Sequence, residues 1–159
     1  MKVADIANKF YTDLDSPSDL SLVAISFWIR NNLGALNSRI LTSYSIQDDD
    51  LEIEDENNNE ITEDAVSVYF QMYLVHYYDK KYRSNLTTMS NNMLISVKDN
   101  ARSVTYTNRN EIGKTILQAK KQAEDELNKL VSGYKFKLSV PRQVIGDDTA
   151  LVDTLPPLN

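Results

Sequence analysis

The sequence predicts a mainly α-helical protein: a four-helix bundle-like domain with a β-hairpin or loop and an extended C-terminal tail. Three observations predict this fold class. Apolar residues recur at three- and four-residue steps in four segments, two short β-prone runs flank a turn before the last of these segments, and helical periodicity stops after residue 138. We therefore divide the chain into a helical domain, residues 1–138, and an interaction tail, residues 139–159.

The first two helices are predicted near the N-terminus. Residues 3–14 carry their apolar side chains on one face, as a short amphipathic helix does. A break follows, and Ser16 as N-cap with Pro17 at the first helical position predicts a second helix that runs to residue 32, with Gly34 as its C-terminal cap. Residues 20–29 are apolar on nearly every side, which is typical of a helix inside a bundle or beneath a subunit interface.

The middle of the chain predicts a loop and a third helix. Residues 48–60 are acidic, rich in asparagine and without periodicity, and so predict an exposed loop. Thr62 is the expected N-cap of a helix that continues to Arg83, with apolar side chains on two faces and acidic residues in its first turn. Residues 84–92 are polar and predict turns.

A hairpin and a fourth helix are predicted next. The β-prone runs 94–97 and 103–106 flank a short turn-forming segment, which predicts a hairpin or a projecting loop. The fourth helix is expected over residues 111–132, capped by Asn108 or Asn110 and ended by Gly133. Its expected core stripe comprises Ile112, Ile116, Ala119, Ala123, Leu127 and Leu130.

The C-terminal tail, residues 139–159, has the composition of a segment that is ordered only by a partner. It holds three of the four prolines and shows no helical period. Fixing each backbone residue costs about 1–2 kcal/mol, which such a segment cannot recover by itself. We expect it to dock on another chain through its aliphatic side chains, namely Val140, Val144, Ile145, Leu151, Val152, Leu155 and Leu158.

Charge is divided unevenly along the chain. Residues 1–79 carry 4 basic and 15 acidic side chains, whereas residues 80–142 carry 13 basic and 5 acidic side chains. One interpretation is that the basic face of one subunit meets the acidic face of a neighbour. The other is that the two halves fold against each other and neutralise their charges within one subunit.

No residue pattern in the sequence indicates catalysis, a cofactor or a metal site. The chain has no cysteine, which excludes disulfides and thiolate metal ligands, and His76 is its single histidine and lacks a recognisable nucleophile partner. A calcium loop starting at Asp48 would need glycine and glutamate where Ile53 and Asn59 stand. We therefore expect no enzyme activity. The absence of an 18-residue apolar run predicts no membrane span.

An aromatic cluster on the third helix predicts core and interface packing. Base stacking is the alternative function for such a cluster, but nucleic-acid platforms pair aromatic residues with a positive groove, and the residues just before this helix are acidic. The cluster comprises Tyr69, Phe70, Tyr73, Tyr77, Tyr78 and Tyr82.

The order of these elements resembles the head–tail connector, or adaptor, proteins of tailed bacteriophages. The resemblance covers residues 19–138, and its most suggestive part is the strand Ser103-Val104-Thr105-Tyr106 before the last helix. Asn100-Ala101 stands where the family often has a glycine in the hairpin turn. The resemblance implies a structural virion protein, assembled in the bacterial host cytoplasm. It implies a ring of twelve copies beneath the portal, in contact with the portal protein and with a tail or neck protein, through which DNA only passes.

Other functions remain open on the sequence alone. The main alternative is a small helical regulatory or chaperone-like binding protein without catalytic activity. A hydrolase that uses the acid pair Asp48 and Asp50 is a more distant alternative, because no partner base or metal motif accompanies these residues. Within a virion, the chain would also suit a stopper or tail-completion role.

Overall fold

A computed structural model describes residues 1–47, 51–91, 96–99, 102–105 and 109–139. These residues form four helices and two antiparallel two-stranded sheets, which confirms the mainly helical, bundle-like fold with a hairpin. In chain order the elements are α1 (Val3–Asp13), α2 (Leu22–Ile40), β1 (Ser45–Ile46), β2 (Ile53–Glu54), α3 (Glu63–Asn91), β3 (Ser96–Asp99), β4 (Arg102–Thr105) and α4 (Arg109–Ser139).

Helix α1 matches its predicted bounds and buries the predicted face. Val3, Ile6 and Phe10 are buried, and the Phe10 ring packs on the rings of Tyr69 and Tyr73 of α3. Helix α1 therefore covers the aromatic side of α3, which accounts for its one-sided apolar pattern.

Helix α2 differs from the prediction at both ends. It begins after Ser21, whose hydroxyl oxygen accepts a hydrogen bond from the Ala24 N–H at 3.2 Å, rather than at Ser16, which has a positive φ of 50° in the preceding turn. It also continues through Gly34 to Ile40. A glycine inside a helix costs about 1 kcal/mol. Burial of Leu36 beyond it stabilises the helix by about 1.5–3 kcal/mol, and therefore outweighs that cost.

The acidic segment is more ordered than the exposed loop that was predicted. Strand β2 pairs with β1, and Ile53 is fully buried, with its N–H donating to the Met1 carbonyl at 3.0 Å. The Asp55 carboxylate accepts hydrogen bonds from the backbone N–H groups of Asn57 and Asn59, at 2.8 and 2.9 Å. These contacts fold residues 51–60 against the start of α1, while residues 48–50 lie outside the described part.

Helix α3 begins as predicted and ends later. The Thr62 hydroxyl oxygen accepts a hydrogen bond from the Ala65 N–H at 3.3 Å, which confirms the N-cap. The helix then runs past Arg83 to Asn91, so the predicted turns at residues 84–92 are wrong over residues 84–91. Polar side chains there bond back to the helix, as the Thr87 hydroxyl does to the Arg83 carbonyl at 3.0 Å.

Strands β3 and β4 confirm the predicted hairpin. They are antiparallel, with Val97 opposite Val104 and Asp99 opposite Arg102. Pairing therefore extends into the segment predicted as the turn.

Helix α4 is longer than predicted and buries part of the predicted stripe. It begins at Arg109, so Asn110 lies inside the helix, and it passes Gly133 to end at Ser139. Ala123 and Leu127 are 3% and 4% exposed, but Ile112 and Leu130 are 42% and 36% exposed and are not part of the core. The stripe is buried only in part because α3 is the main neighbour of α4 and covers a narrow part of its surface.

Helices α3 and α4 run antiparallel and extend beyond the core. Lys137 pairs with Asp64 near one end, and Lys120 pairs with Asp79 nearer the other. The buried residues of α3 end at Tyr73. We call the remainder, residues 82–91 and 109–119 with the β3–β4 hairpin, the helical arm. The two helices of the arm meet at Gly113, where an added Cβ atom would lie 3.0 Å from Nδ2 of the Asn85 side chain.

Candidate subunit interface

The side of α2 that faces away from the core is exposed, and apart from Arg30 its residues are apolar or uncharged. Ile25 and Ile29 are fully buried on the inner side. On the opposite side, Val23 is 80% exposed and Phe27 is 66% exposed, four residues apart and therefore adjacent on the helix surface. The prediction of a helix inside the bundle is thus wrong for this side. We define the α2 outer face by its exposed residues Val23, Phe27, Arg30, Asn31, Gly34 and Ser38.

A groove of about 240 Å³ lies between α2 and α3 beside this face. Its lining is mainly aromatic and apolar, and it also includes two asparagine amides, the His76 ring and the Lys80 side chain. The lining residues are Leu20, Ala24, Phe27, Trp28, Asn31, Asn32, Tyr73, His76, Tyr77 and Lys80. We call it the α2–α3 groove.

Ring contacts between the two helices form the floor of the α2–α3 groove. The Trp28 ring lies 5.6 Å from Tyr69, 5.1 Å from Tyr73 and 5.6 Å from His76, measured between ring centroids. The Tyr69 hydroxyl donates a hydrogen bond to the carbonyl oxygen of Ile29, which fixes α2 against α3. These contacts lie within one chain, so the floor of the groove is already formed without a ligand.

An ion pair lies beside the Tyr77 ring, which lines the groove. Lys81 Nζ lies 2.6 Å from Asp19 Oδ2 and 5.3 Å from the centroid of the Tyr77 ring. The hydrogen bond with Asp19 raises the pKa of Lys81, and the same contact lowers the pKa of Asp19. The ion pair thereby attaches the segment before α2 to α3. The Lys81 ammonium group also packs over the Tyr77 ring, which lines the groove.

Burial shifts the pKa values of three aromatic groups at the groove in the direction that favours their uncharged forms. Burial raises the pKa of Tyr73 to about 12, and it raises the pKa of Tyr69 well above its usual range. Burial, together with the nearby Lys80 cation, lowers the pKa of His76 below its ordinary value of 6.5. At neutral pH the His76 ring is therefore neutral, and a ligand would meet an aromatic surface with cationic charge at Lys80.

A second and wider cleft, of about 390 Å³, lies between α3 and α4. It is lined by Asp64, Ser67, Val68, Lys129, Leu130, Gly133, Tyr134 and Lys137. The Lys137–Asp64 ion pair lies at this cleft, and no aromatic floor comparable to that of the α2–α3 groove is present in its lining. It is therefore the weaker candidate for an apolar partner.

Among the residues that the structure describes, four ion pairs join the acidic half of the chain to its basic half. They are Lys81–Asp19, Arg83–Asp79, Lys120–Asp79 and Lys137–Asp64. The interpretation that the halves neutralise each other therefore holds for these groups. Among the other acidic residues, Glu60 pairs with the N-terminal ammonium group at 3.4 Å, and Glu56 is exposed.

The predicted site residues fall into two groups. The seven tail residues, Val140, Val144, Ile145, Leu151, Val152, Leu155 and Leu158, lie outside the described residues. Tyr69, Phe70 and Tyr73 pack with Phe10, as expected for core aromatic residues. Within the described ranges, no group of three or more acidic or histidine side chains is placed to hold a metal ion.

The sequence did not identify the α2–α3 groove. The one sequence feature that pointed to it was the apolar character of residues 20–29 on nearly every side. That pattern indicates that each side of the helix is in contact with something, but it does not tell which side faces the core of its own chain. Among the helices that the structure describes, none is long and apolar enough to cross a membrane.

Comparisons with known proteins give no match. No protein-family model matches the chain, and no curated protein and no solved structure is significantly similar to it.

Proposed function

We propose that this protein is a non-catalytic structural subunit of a tailed-phage virion, a ring-forming adaptor that joins the portal to the tail or neck. The observation that carries the proposal is the α2 outer face. Val23 and Phe27 are exposed although the opposite side of the same helix is fully packed. An exposed apolar surface next to an aromatic groove is typical of a protein–protein contact.

A ring requires two different contact surfaces on each subunit, because a head-to-tail contact joins unlike faces. The α2 outer face supplies one. The helical arm supplies a second, since its apolar side chains Leu86, Ile112 and Leu117 are between 42% and 48% exposed. The resemblance to head–tail connectors supports the further details: twelve copies, DNA that only passes through the ring, and assembly in the host cytoplasm before incorporation into the virion.

The test is to introduce a charge on the α2 outer face and measure association. Phe27→Asp should shift the full chain from a ring-sized particle to a monomer in light scattering, because a charged group would be buried in an apolar contact. Val23→Asp should act in the same direction. Asn128→Asp is the matched control, because it adds the same charge at an exposed position of α4 outside both surfaces.

Electron microscopy of the wild-type particle, read for ring symmetry, completes the test. A wild-type chain that stays monomeric at every concentration, even with its portal partner, would rule out the adaptor and favour a regulatory or chaperone-like binding protein. A ring that forms equally well with Phe27→Asp would show that the α2 outer face is not the contact.

A further inference from the structure

We infer that the α2–α3 groove binds residues 153–158 of a neighbouring copy, the segment Asp-Thr-Leu-Pro-Pro-Leu. The inference rests on the proposed function, since it assigns one contact between subunits of the assembly. It adds a receptor surface and names the segment that fills it.

The groove has the chemistry of a proline-binding surface. Phe27, Trp28, Tyr73 and Tyr77 line it, and aromatic rings of this kind bind proline-rich segments. Grooves of this class also use side-chain donors, because an extended proline segment presents unpaired carbonyl groups. The Asn31 amide is placed for this role, since it lines the groove and is exposed.

The segment 153–158 complements each of these features. Pro156 and Pro157 lack backbone N–H groups and restrict the free chain, which lowers the entropy cost of binding. Leu155 and Leu158 flank them and supply apolar contact on both sides. Asp153 precedes them, and its charge complements that of Lys80 at the groove margin.

The geometry of α3 favours a neighbouring copy over the same chain. The Gln71 amide donates to the Ala123 carbonyl of α4, whereas Tyr73 faces Trp28 of α2. Two residues correspond to about 200° around a helix, so α4 and the groove lie on opposite sides of α3. Helix α4 ends at Ser139, close to the Lys137–Asp64 pair at the start of α3, whereas the groove lies beside residues 73–80 of α3.

Distances along the chain give the same answer. From the level of Asp64 to that of His76 the tail would rise about 18 Å along α3, and passing around half of a bundle two helices wide adds about 35 Å. The 15 residues from 140 to 154 reach about 50 Å when fully extended. Because the rise and the turn around the bundle are perpendicular, the direct path to its own groove is about 39 Å, roughly four-fifths of that reach. A linker stretched so far beyond its average span gives a low effective concentration. The groove of a copy alongside avoids this detour.

Cysteine cross-linking tests the contact directly, because the natural chain has no cysteine. Full-length Ala24→Cys and full-length Pro157→Cys are mixed, assembled and oxidised. Ala24 lines the groove, so we expect a disulfide-linked dimer of the two variants. A disulfide requires Cα atoms within about 7 Å, so it reports close contact rather than general proximity. Gln122→Cys, at an exposed position of α4 outside both the helical arm and the groove, is mixed with Pro157→Cys as the control and should give no such dimer.

The fluorescence of Trp28, the one tryptophan of the chain, provides a second measurement. Leu155→Asp should raise acrylamide quenching of Trp28 several-fold in the assembled protein, and Thr149→Asp, which adds the same charge nearby, should leave it unchanged. Rings without the cross-link, and with equal quenching in both variants, would overturn the inference and leave the proposed function intact. Cross-linking confined to single chains of the double variant Ala24→Cys/Pro157→Cys would assign the segment to its own groove and would equally overturn it. A wild-type chain that never associates would instead contradict the proposed function.

Discussion

The pair Leu127 and Leu130 provides the sharpest test of how α4 packs. The sequence placed both residues on one core stripe, but the structure separates them: Leu127 is 4% exposed and belongs to the core cluster, whereas Leu130 is 36% exposed. They have the same side chain and lie three residues apart on the same helix. Replacing each by alanine therefore compares two positions with the same helix propensity change.

The magnitudes follow from burial. Leu127→Ala removes buried methyl groups and leaves a cavity, and such substitutions cost about 2–5 kcal/mol. Leu130→Ala removes partly hydrated surface, and we expect a loss of less than about 1 kcal/mol. The difference between the two variants should therefore be at least about 1 kcal/mol.

The assay is urea unfolding of both variants and the wild type, followed by far-UV circular dichroism. Equal m-values would show that the variants differ in stability and not in the extent of unfolding. If the two variants lost the same free energy of unfolding, the packing of α4 described above would be wrong. Leu127→Asp should be more severe than Leu127→Ala, because it also buries an unpaired charge.

Four further predictions concern single contacts and the tail. Tyr69→Phe removes the donor to the Ile29 carbonyl and should lower the free energy of unfolding by about 0.5–1.5 kcal/mol in the same urea assay. The hydrogen bond from Lys120 lowers the pKa of Asp79, so this pair stabilises the fold above the unfolded pKa of Asp79 and loses its effect as pH falls through the lower folded pKa. A Tm measured against pH should consequently fall less steeply in acid for Asp79→Asn than for the wild type. Deleting residues 140–159 should leave the Tm of the domain unchanged and weaken co-sedimentation with the assembled partner; a large drop in Tm would show that the tail is part of the core. Ring formation, followed by light scattering, should slow as salt rises, since exposed charges are screened beyond about 8–10 Å at physiological ionic strength, and a rate that ignores salt would point to apolar contacts alone.

The starts of α1 and α3 were predicted correctly, because each depends on residues that are adjacent in the sequence. The start of α3 was predicted because the Thr62 side chain satisfies a backbone N–H within one turn, so no distant residue takes part. The apolar face of α1 was predicted for a similar reason, since its period is a property of consecutive residues.

Helix ends were predicted less well, because neighbouring helices decide them. Gly34 looked like a C-cap, but Leu36 and Ile40 are buried against the rest of the bundle and keep α2 helical beyond it. Polar residues 84–91 looked like turns, yet α4 runs beside them and α3 continues. In both cases the free energy of tertiary packing exceeds a local preference of about 1 kcal/mol or less.

The sequence by itself determined the mainly helical class, the hairpin, the starts of α1 and α3, and the uneven distribution of charge. Only the tertiary structure decided which side of α2 is exposed, which residues of α4 are buried, and that acidic and basic halves pair through residues such as Asp79 and Lys120. The physical reason is that periodicity reports how many faces of a helix are apolar. Which of those faces is buried depends on contacts between residues far apart in the chain, such as the ring packing of Trp28 on Tyr73.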